Sequence, residues 1–180
     1  MSDDGRTGAA KGIVVKVLVP ALILLAIVGL WYMKNPRPRS EALTDGNPDF
    51  ALNADENTDV VKLKSYGLPI IIDFGADWCA PCRQIAPILE ELNEELRGRA
   101  IIKFVDVDRN RGFAADYPVS VIPTQVFIDS AGKPFAPENP DVLDMTTYVD
   151  RETGEHALTM HEGFMTKDQL LSVLKEMGMQ

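Results

Sequence analysis

The chain has 180 residues, of which 46% are hydrophobic and 25% are charged. This length and composition are typical of one globular domain and exclude two sizeable domains once a tail and a linker are subtracted. A formal net charge of -9 argues against nucleic acid as a partner, because phosphate binding requires a basic surface.

The N-terminal part of the chain contains one long apolar segment. Residues 13–33 include a single charged side chain, Lys16, and are long enough to cross a bilayer as a helix. A cleaved signal peptide is the alternative, but no small-residue cleavage pattern follows the segment. Trp31 and Tyr32 also lie where an aromatic belt would anchor a retained helix. We therefore predict an uncleaved single-pass membrane anchor over 13–33, preceded by a tail over 1–12.

Basic residues flank this segment equally on both sides, so their number does not decide its orientation. A short basic tail, an apolar stretch and a globular remainder have the layout of a signal anchor. We expect the tail inside the cell and the globular part outside the cytoplasm, in the periplasm or at the cell surface. A tethered domain that faces the cytoplasm is the alternative.

A linker is predicted between the apolar segment and the globular part. Residues 34–48 are rich in proline, charge and turn-forming residues and have no periodic apolar pattern. The globular domain is therefore expected over residues 49–180. Residues 50–53 are predicted as its first short strand, and residues 59–66 as a short helix that ends at Gly67.

A buried strand and a long helix are predicted next. Residues 70–74 are apolar except for Asp73, which is the pattern of a strand buried on both faces. The carboxyl group is the anomaly of this strand. From Cys79 onward, apolar residues recur at helical spacing up to Gly98 and predict an amphipathic helix.

The rest of the domain alternates strands and helices. Strands are predicted over 101–107 and 124–128, a short helix over 112–117, and a last helix that begins with a capping box at Thr166. Within an insertion at about 135–159, residues 146–149 and 156–160 flank a polar turn and predict an extended hairpin. This order predicts an α/β fold with a mixed central sheet flanked by helices.

The two cysteines of the chain form one Cys-x-x-Cys motif at the junction of strand and helix. Cys79 would lie at the helix N-terminus, where unpaired amides and the helix dipole stabilise a thiolate, so it is the predicted nucleophile. Cys82 lies one turn further on, less exposed, and can close a disulfide with it. Pro81 suits the first helical turn. Asp73, a buried acid below the helix start, could exchange a proton with Cys82.

Other roles are open to these residues. A structural disulfide across so short a loop would stabilise weakly, because it restricts the unfolded chain little. A zinc site could add His156 and His161, but these lie far from the cysteines in sequence and no second Cys-x-x-Cys exists. Both histidines are more typical of ordinary hairpin residues, with a place near the site as the alternative for His161, and Asp73 could be a merely capped core acid. We favour a redox pair and expect no metal or other cofactor.

The sequence WCAPCR followed by QIAPILEEL, preceded by IIDF and later followed by Ile122-Pro123-Thr124, resembles the thioredoxin family. The resemblance covers residues 49–180, and its combined motifs are highly specific. It implies a thioredoxin-like fold in which Cys79 is the nucleophile, Cys82 the resolving cysteine and Asp73 the acid that assists proton transfer.

The resemblance also implies a substrate groove. Trp78 matches the tryptophan that shields the cysteines, and Pro81 the proline inside the motif. Pro123 matches a cis-proline that faces the cysteines and, with Ile122, offers backbone to an extended substrate peptide. Gly163 is similar to the glycine that lines this groove.

Three departures from the family pattern bear on function. Phe104 stands where many thioredoxins have a lysine near the buried acid, so we expect a higher pKa for Asp73. The hairpin at 135–159 is longer than in compact thioredoxins. Glu162, beside the groove glycine, replaces a usually apolar residue and would repel acidic partners or select basic ones, unless it is simply a solvated loop acid.

Together these features predict a membrane-tethered thiol–disulfide oxidoreductase that reduces protein disulfides outside the cytoplasm of a bacterium. Its partners would be protein disulfide or dithiol substrates and a membrane protein that donates electrons. One alternative is an oxidase that donates disulfides. Another is a binding or assembly module with a thioredoxin fold, in which catalysis is incidental.

Overall fold

A computed structural model describes residues 46–180 of the chain. The predicted tail, the membrane anchor over 13–33 and nearly all of the linker lie outside the described residues. Within 46–180, none of the helices has the length and apolar character that a membrane span requires.

A five-stranded mixed sheet organises the described part of the chain. Its strands are β1 (Ile70–Gly75), β2 (Ile101–Asp106), β3 (Thr124–Ile128), β4 (Met145–Val149) and β5 (His156–Glu162). They are arranged in the order β2-β1-β3-β5-β4, in which only β1 and β2 are parallel and the other neighbours are antiparallel. The predicted mixed central sheet is confirmed.

Helices cover both faces of this sheet. They are α1 (Val60–Lys64), α2 (Ala80–Glu95), α3 (Arg111–Ala115) and α4 (Lys167–Glu176). The apolar side chains of α2 and α4 pack in one core cluster with Ile71, Ile102 and Phe127 of the sheet. Those of α1 and α3 pack in a second cluster with Ile70, Ile72 and Val126. Since β1 lies between two covered faces, all six of its residues are buried, as its apolar run predicted.

Local signals set the ends of these helices. Asp59 caps α1 by accepting hydrogen bonds from the amides of Val61 and Lys62. The predicted capping box of α4 is present, since Thr166 and Gln169 bond each other's backbone amides. The four glutamates of α2, at 90, 91, 94 and 95, are exposed as its amphipathic pattern predicted.

The predicted strand over residues 50–53 is wrong. Pro48–Phe50 forms a 3-10 helix, because the Asn47 side chain accepts a hydrogen bond from the Asp49 amide and a proline occupies the first position of the turn. The Phe50 ring is buried against the ring of Tyr66, with centroids 5.0 Å apart. Within residues 50–53, Asn53 alone pairs with a neighbouring strand, through a parallel bridge to Phe104.

The predicted hairpin is confirmed and is longer than its apolar pattern indicated. The insertion leaves the sheet at Phe135, passes through a 3-10 helix at Pro140–Leu143, and returns as β4 and β5. Strand β5 continues to Glu162, so the insertion ends beside the loop that carries Gly163. The segment predicted as a hairpin insertion therefore supplies two of the five strands in the described part of the chain.

Candidate active site

Cys79 and Cys82 lie at the start of α2 and are joined as a disulfide. Cys79 is the N-cap residue, and its Sγ accepts a hydrogen bond from the Cys82 amide at 3.2 Å. Pro81 occupies the first turn, where its lack of an amide proton leaves no bond unmade. Cys79 is 4% exposed and Cys82 3%, so the expected difference in exposure is almost absent in this oxidised form. The start of α2 thus presents an amide to the Cys79 sulfur, which favours a thiolate there after reduction.

A loop before β3 faces the cysteine pair. The Ile122–Pro123 bond is cis, as the resemblance implied. The carbonyl oxygen of Ile122 lies 3.6 Å from Cys79 Sγ. The Gly163 amide donates to the Pro123 carbonyl at 2.8 Å. The fold therefore brings together Cys79, Ile122, Pro123 and Gly163, which are distant in sequence.

Trp78 is held at the rim of this site. Its side chain is 68% exposed, and its Nε1 donates to Asp108 Oδ2 at 2.7 Å. Asp108 was not predicted as a site residue, although the motif VDVD places two acids at the carboxyl end of a strand. Val121 and Phe164 are also exposed apolar residues and adjoin Ile122 and Gly163 in sequence.

Asp73 is completely buried in the centre of β1. Burial raises the pKa of this carboxyl from its ordinary 3.8 to about 7, and a hydrogen bond from Gln125 opposes the rise. Gln125 Nε2 donates to Asp73 Oδ1 at 2.6 Å, whereas Asp73 Oδ2 has no hydrogen-bond partner. A carboxyl with this pKa can both accept and release a proton near neutral pH.

No lysine lies beside Asp73 in its pairing register. Its partner in β2 is Phe104, at the position where the family resemblance implied that a lysine is replaced. The neighbouring Lys103 pairs with Ile72 and therefore lies on the opposite face, where its Nζ donates to the Ala51 carbonyl at 2.6 Å. The raised pKa of Asp73 has the direction that this departure predicted.

Gly75 brings Cys82 close to the strand that carries Asp73. A Cβ at this position would lie 2.9 Å from Phe104 Cε2 and 3.4 Å from Cys82 Sγ. Because no side chain fits there, the Cys82 sulfur and the Phe104 ring can both pack against β1. A cleft of about 230 Å³ reaches Cys82 and is also lined by Phe104, Arg83 and Arg109.

Two buried polar residues near the site were not predicted as site residues. Gln125 of β3 pairs with Asp73 of β1 and was not predicted as a site residue. The signal was present, since Gln125 interrupts an apolar strand just as Asp73 does. His161, interpreted as an ordinary hairpin residue, pairs with Gln125 across β3 and β5.

The zinc alternative receives no support from the contacts of the histidines. His161 Nδ1 lies 2.6 Å from the Leu143 carbonyl oxygen, and His156 Nε2 lies 3.1 Å from that of Leu158. Among residues 46–180, no three histidine, cysteine or acidic side chains are grouped as metal ligands.

Comparisons with known proteins agree with this geometry. The family model described as Thioredoxin matches residues 50–143. Thioredoxin H4 of Arabidopsis thaliana is 34% identical over 105 residues, which cover 58% of this chain and 81% of that protein. A bifunctional thioredoxin reductase/thioredoxin of Mycobacterium leprae is 33% identical over 96 residues, which cover 53% of this chain and 21% of that protein.

A solved structure of a mutant thioredoxin from Halobacterium salinarum is similar in fold. Its TM-score is 0.50 at 26% sequence identity, and the match covers 74% of this chain and 96% of that one. The chain thus spans most of the Arabidopsis thaliana thioredoxin and about a fifth of the bifunctional Mycobacterium leprae protein.

The raised pKa of Asp73 predicts a stability that falls as pH rises. The folded protein binds this proton more tightly than the unfolded chain, so between about pH 4 and pH 7 the free energy of unfolding should drop by roughly 4 kcal/mol. An Asp73→Asn variant stays neutral and should be the more stable protein near about pH 8, with a difference that shrinks towards about pH 4. Urea unfolding of the full-length chain at several pH values, followed by circular dichroism, measures this difference in the free energy of unfolding. Exposed Asp141→Asn is the matched control, and an equal pH dependence in wild type and Asp73→Asn would contradict the prediction.

Proposed function

Because the chain belongs to the thioredoxin family of thiol–disulfide oxidoreductases, we propose that it reduces disulfides in other proteins through Cys79 and Cys82. The observation that carries this proposal is the close cysteine pair at the start of α2, which faces a cis-proline loop. A sulfur at a helix N-terminus is stabilised as a thiolate, and a partner one turn away can close the disulfide again.

The proposed reaction has two exchange steps. The Cys79 thiolate attacks a substrate disulfide, so one substrate sulfur leaves as a thiolate while the other becomes bonded to Cys79. Cys82 then loses its proton and attacks Cys79 Sγ, which forms the Cys79–Cys82 disulfide and releases the second substrate thiolate. Two electrons pass from the cysteine pair to the substrate, and both released thiolates take up protons.

In this scheme Asp73 accepts the proton of Cys82 and later returns it to a leaving thiolate. Its burial in β1, two residues before Gly75 where Cys82 packs, and its pKa of about 7 support this role. An ordinary surface aspartate, with a pKa near 3.8, would be too weak a base to take a proton from a thiol efficiently.

We assign substrate binding to a groove between two loops. One loop precedes β3 and carries Ile122 and Pro123, and the other carries Gly163. The backbone of Ile122, Pro123 and Gly163 would pair with an extended peptide next to the Cys79 sulfur. Exposed Trp78, with Val121 and Phe164, would contact apolar side chains of that peptide. Pro81 adds to the outer edge of the motif, where it is exposed.

The direction of the reaction is proposed from the motif. Ala80 and Pro81 between the cysteines, together with Asp73 and Ile122, resemble reducing family members more than strong oxidases. A reductase must be supplied with electrons after each turnover. We propose that a membrane protein donates them to the Cys79–Cys82 disulfide.

The cellular location is proposed from the N-terminal sequence, nearly all of which lies outside the described residues. The apolar segment over 13–33 would anchor the chain in the membrane of a bacterium, and the linker over 34–48 would hold the redox domain at the surface. The signal-anchor layout favours a domain outside the cytoplasm.

The redox proposal predicts that the full-length chain accelerates the reduction of insulin disulfides by dithiothreitol. Cys82→Ala should stop turnover and accumulate a mixed disulfide between Cys79 and insulin, because the resolving sulfur is absent. Cys79→Ala should form none. Non-reducing gels and mass spectrometry identify the adduct. If wild-type protein leaves the reduction rate at that of dithiothreitol alone, the chain is a binding module and the redox proposal is wrong.

The membrane proposal predicts that the full-length chain stays with bacterial membranes after carbonate extraction, whereas a variant lacking 13–33 does not. The extracytoplasmic orientation further predicts that protease added to spheroplasts digests the folded domain. Protection of the domain in intact spheroplasts, with digestion only after lysis, would establish the cytoplasmic alternative.

A further inference from the structure

One row of side chains crosses all five strands on the face that α2 and α4 cover. The register places Phe104, Asp73, Gln125, His161 and Met145 opposite one another in that order. Directly paired residues point to the same face of a sheet, so these five side chains are neighbours. The three central members are polar, and we call Asp73, Gln125 and His161 the buried polar row.

The buried polar row is almost free of solvent. Asp73 and Gln125 are 0% exposed and His161 is 9% exposed. Each has one side-chain atom without a hydrogen-bond partner: Asp73 Oδ2, Gln125 Oε1 and His161 Nε2. Unpartnered polar atoms in a core are costly, so their retention here indicates a use other than stability.

The backbone of the groove fixes the orientation of the Gln125 amide. Its Nε2 donates to the Gly163 carbonyl at 3.2 Å as well as to Asp73 Oδ1 at 2.6 Å. The reverse orientation would bring the amide oxygen against a carbonyl oxygen, which can only accept. The amide group must therefore present hydrogens, and not its oxygen, to Asp73.

This orientation determines how Asp73 carries its proton. Oδ1 is occupied as an acceptor, so the proton of the neutral carboxyl belongs on Oδ2, the oxygen without a partner. A donated hydrogen bond is stronger to a carboxylate than to a carboxyl group, so Gln125 favours the ionised form.

The other titratable groups on this face have different positions and partners. Cys82 lies on α2. Asp106 lies at the end of β2, and its Oδ2 is 3.5 Å from Arg109 Nε. His161 lies one strand beyond Gln125, and its Nδ1 donates to the Leu143 carbonyl of the insertion. Gln125 alone joins Asp73 to the groove backbone by hydrogen bonds in the part of the chain that the structure describes.

We propose that Gln125 is a positioning residue, which holds the proton of Asp73 on Oδ2 and lowers the affinity of this carboxyl for it. Its second hydrogen bond, to the Gly163 carbonyl, links this arrangement of the Asp73 proton to the backbone of the proposed substrate groove. The hydrogen bond takes the place of a cation next to the acid, where this chain has Phe104. The proposal rests on the proton-transfer role proposed above for Asp73.

The test is the titration of Asp73 in a Gln125→Met variant. Methionine has a similar length and no hydrogen to donate, so the midpoint should rise by about one pH unit above the wild-type value. The measurement is carboxyl carbon NMR of the full-length chain labelled at aspartate, with the Asp73 signal identified by its absence in Asp73→Asn. The pH profile of single-turnover insulin reduction should move in the same direction. Gln125→Leu provides a second variant if Gln125→Met folds poorly.

Thr159→Val is the matched control. Thr159 is also completely buried in the sheet and donates to the Phe135 carbonyl, but it does not contact Asp73. Its removal should leave the midpoint unchanged. An unchanged midpoint in Gln125→Met, or an equal rise in Thr159→Val, would overturn the proposal.

The same variants separate this proposal from the one on which it rests. If Asp73→Asn reduced insulin at the wild-type rate over the whole pH range, the proton-transfer role of Asp73 would be wrong. The titration midpoint in Gln125→Met would still report whether Gln125 sets the proton affinity of Asp73.

Discussion

The burial of one carboxyl group in the middle of the sheet is the constraint on which the site depends. Asp73 occupies a position where every neighbour in its strand is apolar and buried, and no cation pairs with it in the sheet register. Its pKa is therefore set by desolvation and by the single amide of Gln125. On the other face of β1, Ile70, Ile72 and Phe74 belong to an apolar core cluster, so Asp73 is the one ionisable side chain of this strand.

The remaining features of the site place the cysteine sulfurs and the backbone of the proposed groove near that acid. Gly75 lets Cys82 approach β1, and the start of α2 directs an amide at Cys79. The cis-proline loop and Gly163 are joined by a backbone hydrogen bond, and Gln125 of β3 donates both to the Gly163 carbonyl and to the buried acid. The cysteine pair, Asp73 and the proposed groove thus belong to one connected set of contacts, which draws on residues from four separate segments.

Much of this arrangement followed from local sequence patterns. The apolar run with one acid, the helical spacing after Cys79 and the capping box at Thr166 each predict their element from neighbouring residues alone, and the structure agrees. The first strand was predicted wrongly because Phe50 is buried by a tertiary contact in a turn. The role of Gln125 depends on strand register, which joins residues 52 positions apart and which no local pattern specifies.

The reduction potential of the Cys79–Cys82 couple in the full-length chain tests the central claim most directly. Equilibration against glutathione and thioredoxin standards gives this value. A reductant should lie near the potential of thioredoxin, about -270 mV, because it must give electrons to substrate disulfides. A potential near about -120 mV, that of a strong periplasmic oxidant, would contradict the account and make the protein a donor of disulfides.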